Sequence, residues 1–277
     1  MAAIEEATDV VLGRADIADA LLLSDEARWN QTAADWAVFI DHGEVFGVHA
    51  GGRLVATAAI LPYGGGFGWV SMVLVTAAWR RRGLASRLMG RCIAGLRARG
   101  CAALLDATQE GALVYGQLGF RSQCGMARWR GRGGSAVGVR RGRRVAAADR
   151  GEILQRDLEV FGGDRRFLME DFLGRAGTKV LGDGANWIML REGRCATQIG
   201  PLVTNRDTQA KELLEMAIGS VFGPVILDVL DAGAGLNPVL EKHGFDAFRS
   251  FERMVLDRAG LPGEPGALMV AAGPEFG

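Results

Sequence analysis

Apolar positions along the chain switch between a helical and a strand-like period, and the switch points mark out elements. The clearest stretch is Val70–Arg121. Within it Leu84, Leu88, Met89, Cys92, Ile93 and Leu96 recur at helical spacing, which predicts an amphipathic helix over Leu84–Arg99. Apolar runs on either side, Trp69–Val75 and Ala102–Ala107, read as buried strands. Upstream, Arg14–Leu23 and Ala33–Ile40 read as helices interrupted by Trp29-Asn30-Gln31-Thr32. Val45–Ala50 and Leu54–Leu61 read as strands joined through Gly51-Gly52-Arg53, a hairpin signal. Pro62–Gly68 reads as a Gly-rich loop, Gly111–Gln117 as a helix ending in Gly-Phe, and Arg121–Trp129 as a strand.

The pattern lapses over Gly131–Gly142, which is rich in Gly and Arg and reads as a linker. It then returns. Helices are predicted over Ala147–Phe161, Phe167–Gly174, Asp207–Gly219 and Leu236–His243. Strands are predicted over Thr178–Leu181, Ala185–Arg191, Cys195–Thr204 and Val225–Leu230. Leu105-Asp106 before Leu118-Gly119-Phe120 has a counterpart in Leu227-Asp228 before His243-Gly244-Phe245. A strand end, a helix and Gly-Phe therefore occur twice, as an internal repeat. The organisation expected is a first domain over 1–130, a linker over 131–143, a second domain over 144–260, and 261–277 as a flexible tail or an added strand.

Composition narrows the classes. The chain has 277 residues, 49% hydrophobic and 23% charged, in the range of globular proteins. Lys+Arg and Asp+Glu both number 32, so net charge suggests neither a nucleic-acid nor a membrane partner. Seven arginines between Arg128 and Arg144 are interleaved with a single aromatic, Trp129, and read as a solvated or ion-paired linker in preference to a nucleic-acid patch. No apolar run reaches transmembrane length, and MAAIEEATDV lacks a signal-peptide pattern, so a cytoplasmic protein is expected. Cys92, Cys101, Cys124 and Cys195 form no CxxC pair and are expected to be reduced. His42, His49 and His243 are scattered, so no metal site is expected.

The chemistry centres on Arg80-Arg81-Arg82-Gly83-Leu84-Ala85-Ser86, where a strand hands over to a helix. First-turn N–H groups have no helical partner and face an anion. Gly83 and Ala85 allow close approach to the backbone, and three arginines add donors for phosphate. This reads as a diphosphate cradle. It is neither a Walker loop nor a GxGxxG turn.

Arg80–Ala85 resembles the Arg-x-x-Gly-x-Ala signature of the GNAT acyl-CoA N-acyltransferases, and Tyr115-Gly-Gln-Leu-Gly-Phe120 resembles their YxxxGF motif. The chain as a whole is similar to two-domain, YitH-like members, with Trp29-Asn30 and Phe161-Gly-x-Asp-Arg165 adding to the likeness. The resemblance implies an α/β (α+β) chain of tandem GNAT folds, each a mixed, mostly antiparallel sheet flanked by helices. It implies acetyl-CoA or another acyl-CoA as co-substrate, and a primary amine as acceptor. Val73, Leu74 and Val75 would bond the pantetheine arm through their backbone, on a strand that splays from its neighbour. Arg80, Arg81, Arg82, Gly83, Leu84, Ala85 and Ser86 would hold the pyrophosphate. Arg87 or Arg91 either reaches a 3′-phosphate or is a solvated surface residue.

Tyr115 occupies the position of the family's general acid for the leaving thiolate; the alternative is packing. Trp69–Val75 carries no carboxylate, a departure that leaves the base unassigned. Asp106 either binds the cationic amine or caps a strand, and Asp35, Asp41, Glu44 and His49 are weaker candidates. Trp29 and Asn30, with the Pro62–Gly68 loop, Asp106 and the second domain, are expected to line the acceptor pocket; Trp29 reads equally as domain packing. The second repeat has Val203–Ala210 where the cradle should fall, with one Arg and no Gly, and Leu240 in place of the Tyr. It is expected to bind CoA poorly. The acceptor expected is a small-molecule amine, and the protein a monomer or homodimer. The competing readings are a CoA-binding regulatory or scaffold protein without turnover, and an acetyltransferase for a protein- or RNA-associated amine.

Overall fold

A computed structural model describes residues 7–134 and 150–277. The body of the expected linker, and the start of the helix expected from Ala147, lie outside the described residues. The chain divides into two compact units, Met1–Leu104 and Leu105–Gly277, so the boundary falls inside one strand.

The first unit holds β1 (Thr8–Val11), α1 (Ile17–Glu26), α2 (Ala33–His42), β2 (Glu44–Ala50), β3 (Arg53–Tyr63), β4 (Phe67–Val75), α3 (Leu84–Ala98) and the first half of β5 (Ala102–Thr108). Its sheet runs β1-β2-β3-β4-β5, antiparallel except for β4–β5. The predicted α3 stripe is the face that is buried, Leu84, Leu88, Met89, Cys92, Ile93 and Leu96. Each Leu, Met or Ile of this stripe contributes roughly 1.5–3 kcal/mol on leaving water. Thr32 and Asp35 form a reciprocal capping box that starts α2. Trp36 is fully buried and donates its indole N–H to Ser24 Oγ at 3.1 Å, joining α2 to α1.

The predicted Pro62–Gly68 loop is shorter than expected. Pro62 and Tyr63 end β3, Phe67 and Gly68 begin β4, and only Gly64-Gly65-Gly66 turn the chain. This turn precedes β4, whereas the cradle follows it. At about 3.3 Å per residue the nine residues of β4 separate the two by roughly 26 Å, so the turn does not line a site at the cradle end.

The second unit begins with the rest of β5. It continues with α4 (Gln109–Gln117), β6 (Arg121–Gly133), α5 (Arg150–Phe161), α6 (Arg166–Gly174), β7 (Lys179–Gly182), β8 (Trp187–Glu192), β9 (Thr197–Val203), α7 (Asp207–Gly219), β10 (Gly223–Leu230), α8 (Asn237–Lys242), β11 (Asp246–Leu256) and β12 (Leu268–Val270). Its sheet runs β5-β11-β6-β10-β12-β9-β8-β7. β6 follows the first Gly-Phe and β11 the second, yet β6 pairs along its length with β10 and with β11. The terminal strands of the two repeats thus lie side by side, which is why the compact units do not divide at the expected linker.

Two buried ion pairs cross between the repeats. Arg128 on β6 donates to both oxygens of Asp228 on β10, at 2.7 and 2.9 Å. Arg253 on β11 donates to both oxygens of Asp106 on β5, at 2.8 and 2.9 Å. Arg128 follows Phe120, and Arg253 follows Phe245, by the same offset. The repeat therefore extends to these arginines, and each arginine serves the aspartate of the other copy.

Of the two readings of 261–277, the added strand is the one found. β12 pairs with β9 and β10, and Ala271, Ala272 and Phe276 are fully buried. Arg165, itself buried, holds Asp157 through two hydrogen bonds of 2.9 Å. It also donates to the Phe276 and Gly277 carbonyls at 3.3 and 2.9 Å. Its guanidinium lies 3.7 Å from the centre of the Phe161 ring. The Phe161–Arg165 signature thereby anchors the chain end.

Removing one partner of a buried pair strands the other charge. Asp228→Ala, which also removes the acceptor of the Gln198 amide, is expected to lower stability by about 3–5 kcal/mol, read by urea unfolding. A loss under 1 kcal/mol would mean that Arg128 finds water.

Candidate active site

The site is built on the end of β4. The β3–β4 register slips between Thr57↔Leu74 and Ala59↔Ser71, placing a bulge at Met72 and Val73. Met72 takes φ +54°, a left-handed conformation that costs a non-glycine residue energy. The buried Thr57 hydroxyl donates to the Met72 carbonyl at 2.8 Å and holds the bulge. The parallel pairing of β4 with β5 covers only Phe67–Trp69 and Ala102–Leu104. Past Trp69, β4 pairs with β3 alone among the described residues, so the backbone of its last residues is open on one edge. Val73 and Val75 are half-buried there, and Leu74 is buried.

The cradle follows directly. Thr76 and Ala77 are tied to the end of α1. Glu26 accepts the Thr76 hydroxyl and the Ala77 N–H, each at 2.6 Å. The Thr76 hydroxyl, then the Ala77 N–H, hold the Glu26 carboxyl below the ordinary carboxylate value. The Arg80 guanidinium turns back to the Val75 carbonyl at 3.1 Å, and the Arg82 guanidinium stacks 4.5 Å from the centre of the Trp79 ring. Arg81 at φ +59° and Gly83 at φ +79° both take the left-handed region, a nest-like turn that gathers successive N–H groups. Gly83 is the N-cap of α3 and brings no side chain to compete for the first-turn donors. A Cβ on Gly83 would meet nothing within 4 Å, so its necessity is conformational. Arg80, Arg81, Arg82, Gly83 and Ser86 are exposed, Ala85 is half-buried and Leu84 is buried. Arg87 and Arg91 both face Asp9 on β1, at 2.7 and 3.6 Å, and Arg91 also lies over Phe46.

Val73–Val75 and Arg80–Ser86 thus form one continuous surface of the first unit. The α1–α2 connection, carrying half-buried Trp29 and Asn30, begins at Ala27 beside the Glu26 tie and so belongs to the same end of β4.

Tyr115 and Asp106 lie in the second unit. In the YxxxGF motif, Gly119 takes φ +93° and the Phe120 N–H bonds the Tyr115 carbonyl at 3.1 Å. The turn closes α4 and buries Phe120, whose ring centre is 6.1 Å from that of half-buried Tyr115. Gly111, one turn earlier, leaves room for the ring, since a Cβ there would come 3.1 Å from Tyr115 Cε2. The second repeat builds the same turn, with Gly244 at φ +75° and the Phe245 N–H on the Leu240 carbonyl at 3.0 Å, but with a fully buried leucine in the tyrosine's place.

The Asp106 side chain is shielded from solvent and both its oxygens accept from Arg253. Burial pushes its carboxyl above the ordinary value, opposed by the Arg253 charge and hydrogen bonds. This is the geometry of a tie between strands. Arg253 escaped the sequence reading because it lies 147 residues away; the signal that could have found it is the equal spacing of Arg128 and Arg253 from their Gly-Phe pairs.

All four cysteines are free thiols. Burial pushes the Cys92 and Cys124 thiols up, which suppresses the nucleophilic thiolate. Among the described residues no group of His, Cys, Asp and Glu could hold a metal ion, and no helix is long and apolar enough to cross a membrane.

These features have counterparts in known proteins. Residues 15–120 match the Acetyltransferase (GNAT) family, and residues 153–269 match an Acetyltransferase (GNAT) domain. Among curated proteins the chain has no match. Among solved structures, a putative acetyltransferase from Pyrococcus horikoshii is 17% identical with a TM-score of 0.83, over 98% of this chain and 96% of that one. A GCN5-related N-acetyltransferase from Sphaerobacter thermophilus is 14% identical with a TM-score of 0.66, over 93% and 98%. A tandem GNAT protein from the clavulanic acid biosynthesis pathway is 15% identical with a TM-score of 0.63, over 91% and 98%. Each matched segment contains one Leu-Asp…Gly-Phe copy of the repeat, and the chain belongs to the GNAT superfamily as an N-acetyltransferase of two GNAT domains.

Proposed function

We propose that the first repeat binds acetyl-CoA, or another acyl-CoA, and transfers the acyl group directly to a primary amine of a small molecule in a ternary complex. The observation that carries this reading is the unbroken run from the open, bulged end of β4 into the Arg81–Gly83 nest at the start of α3. A strand edge with open backbone groups suits a pantetheine arm, whose amides need partners. A helix start without a side-chain cap, flanked by exposed Arg80, Arg81 and Arg82, suits a pyrophosphate.

In this mechanism the amine lone pair attacks the thioester carbonyl. The C–N bond forms, the C–S bond breaks, and the amine gives up a proton. Open N–H groups on β4 polarise the carbonyl. Tyr115 gives its phenolic proton to the departing thiolate. Trp29 and Asn30 contribute to the acceptor pocket. Asp106 acts as a positioning residue, because Arg253 engages both its oxygens. No carboxylate stands on β4, so the amine arrives neutral or loses its proton to water.

Arg82→Ala combined with Gly83→Glu places a carboxylate at the nest and removes a guanidinium. Acetyl-CoA affinity by calorimetry is expected to fall at least about 100-fold, roughly 2.7 kcal/mol, with an unchanged circular dichroism spectrum. Retained affinity in the folded variant would refute the cradle.

Tyr115→Phe is expected to lower kcat by about 100-fold or more with CoA affinity within about twofold, the signature of a lost proton donor. The readout is thiol release from acetyl-CoA against amino acids, polyamines and aminoglycosides. Equal rates would reduce Tyr115 to a packing residue.

A further inference from the structure

The second repeat rebuilds the open strand edge of the first and then fills it. The β8–β9 register slips between Ile188↔Leu202 and Leu190↔Ile199, a bulge at Gly200 and Pro201. Like the Met72–Val73 bulge, it falls after the parallel-paired residues and before the helix that follows, although five residues separate it from α7 where ten separate Val73 from α3. The parallel pairing of β9 with β10 likewise covers only three residues, Thr197–Ile199 on Val225–Leu227. Beyond it the strands part. On this alignment Pro201, Leu202 and Val203 stand where the first repeat has Val73, Leu74 and Val75.

The gap holds β12. Leu268 pairs with Val203 and Val270 with Leu202 on one side, and Val270 pairs with Val229 on the other. The Thr204 N–H bonds the Ala267 carbonyl and the Ala271 N–H bonds the Asp228 carbonyl, both at 2.9 Å. The end of β9 is thereby paired with β12. Gly200 is fitted to this occupant. A Cβ there would come within 2.1 Å of the Ala271 carbonyl oxygen, and its φ of +137° is disfavoured for other residues. The N-cap of α7 is Arg206 in place of Gly83, and the Asp207 carboxylate follows in its first turn, where it disfavours an anion. The cleft there, about 150 Å³ including space open to solvent, is lined by Asp207, Ala210, Leu236 and Met269 among others.

We propose that β12 is a built-in occupant of the second repeat's acyl-CoA slot. Its backbone takes the hydrogen bonds that a pantetheine arm would take, and each chain therefore binds one acyl-CoA. The comparison of the two slots rests on the reading of β4 given above. The occupant also ties β9 to β10, so the second repeat retains the fold without the ligand.

Amide hydrogen exchange of the full chain, with and without acetyl-CoA at a hundred times its Kd, tests this, together with calorimetric stoichiometry. The expected result is one site per chain, with exchange over 70–86 slowed by up to about 100-fold and exchange over 197–210 and 267–272 unchanged. Two sites per chain, or slowed exchange over 204–210 with accelerated exchange over 267–272, would overturn the proposal alone, because acyl-CoA would then be displacing β12. Protection in neither region would overturn the reading of the first repeat, and with it the comparison on which this proposal stands.

Discussion

The structure turns on a parallel strand pair that is made to part. Parallel strands joined by a helix ordinarily stay paired along their length, because each unpaired N–H or C=O must find another partner. In this chain β4–β5 and β9–β10 each pair for three residues, and the pairing ends ahead of a bulge in the first strand. The separation leaves an edge of backbone donors and acceptors in demand of a partner. In the first repeat that edge leads straight into a glycine-capped helix start ringed by arginines. In the second it is satisfied by β12. One backbone device has two outcomes, decided by what stands at the helix start and by whether a segment of chain is available to fill the gap.

The crossed Asp106–Arg253 and Asp228–Arg128 pairs explain why the two copies are not independent bodies. A buried, bidentate pair is weak evidence for added stability, but a wrong strand partner would leave a charge uncompensated in the core. Each aspartate ends a β5- or β10-type strand, and each arginine comes from the terminal strand of the other copy. The second copy, though stripped of cradle and tyrosine, keeps its arginine. It supplies the partner that holds Asp106 at the point where β5 hands over to α4, the helix that carries Tyr115.

What was legible in the sequence follows from how local its cause is. The α3 stripe depends on spacing within one helix, and every residue of that stripe is buried. The Gly-Phe turns depend on one glycine taking positive φ, and both copies do so. The bulge at Met72 was not legible, because methionine is a poor marker of a left-handed residue and is held there by Thr57, a neighbour only across the sheet. The end of the chain was ambiguous because Gly, Pro and Ala over 262–277 carry no period. The part laid between the strands is the apolar run Leu268–Val270, too short to show a period.

By itself, then, the sequence determined the order of elements, the repeat, the glycine-capped arginine turn at Arg80–Ala85 and the loss of that turn in the second copy. These rest on spacing, residue chemistry and backbone conformation within a few residues. The tertiary structure alone decided which edges stay open. It parted β4 from β5, bound Asp106 to an arginine far along the chain, and laid β12 into the second gap. Each of these is a pairing choice between distant strands, set by competition for backbone partners and buried charges that no local pattern records.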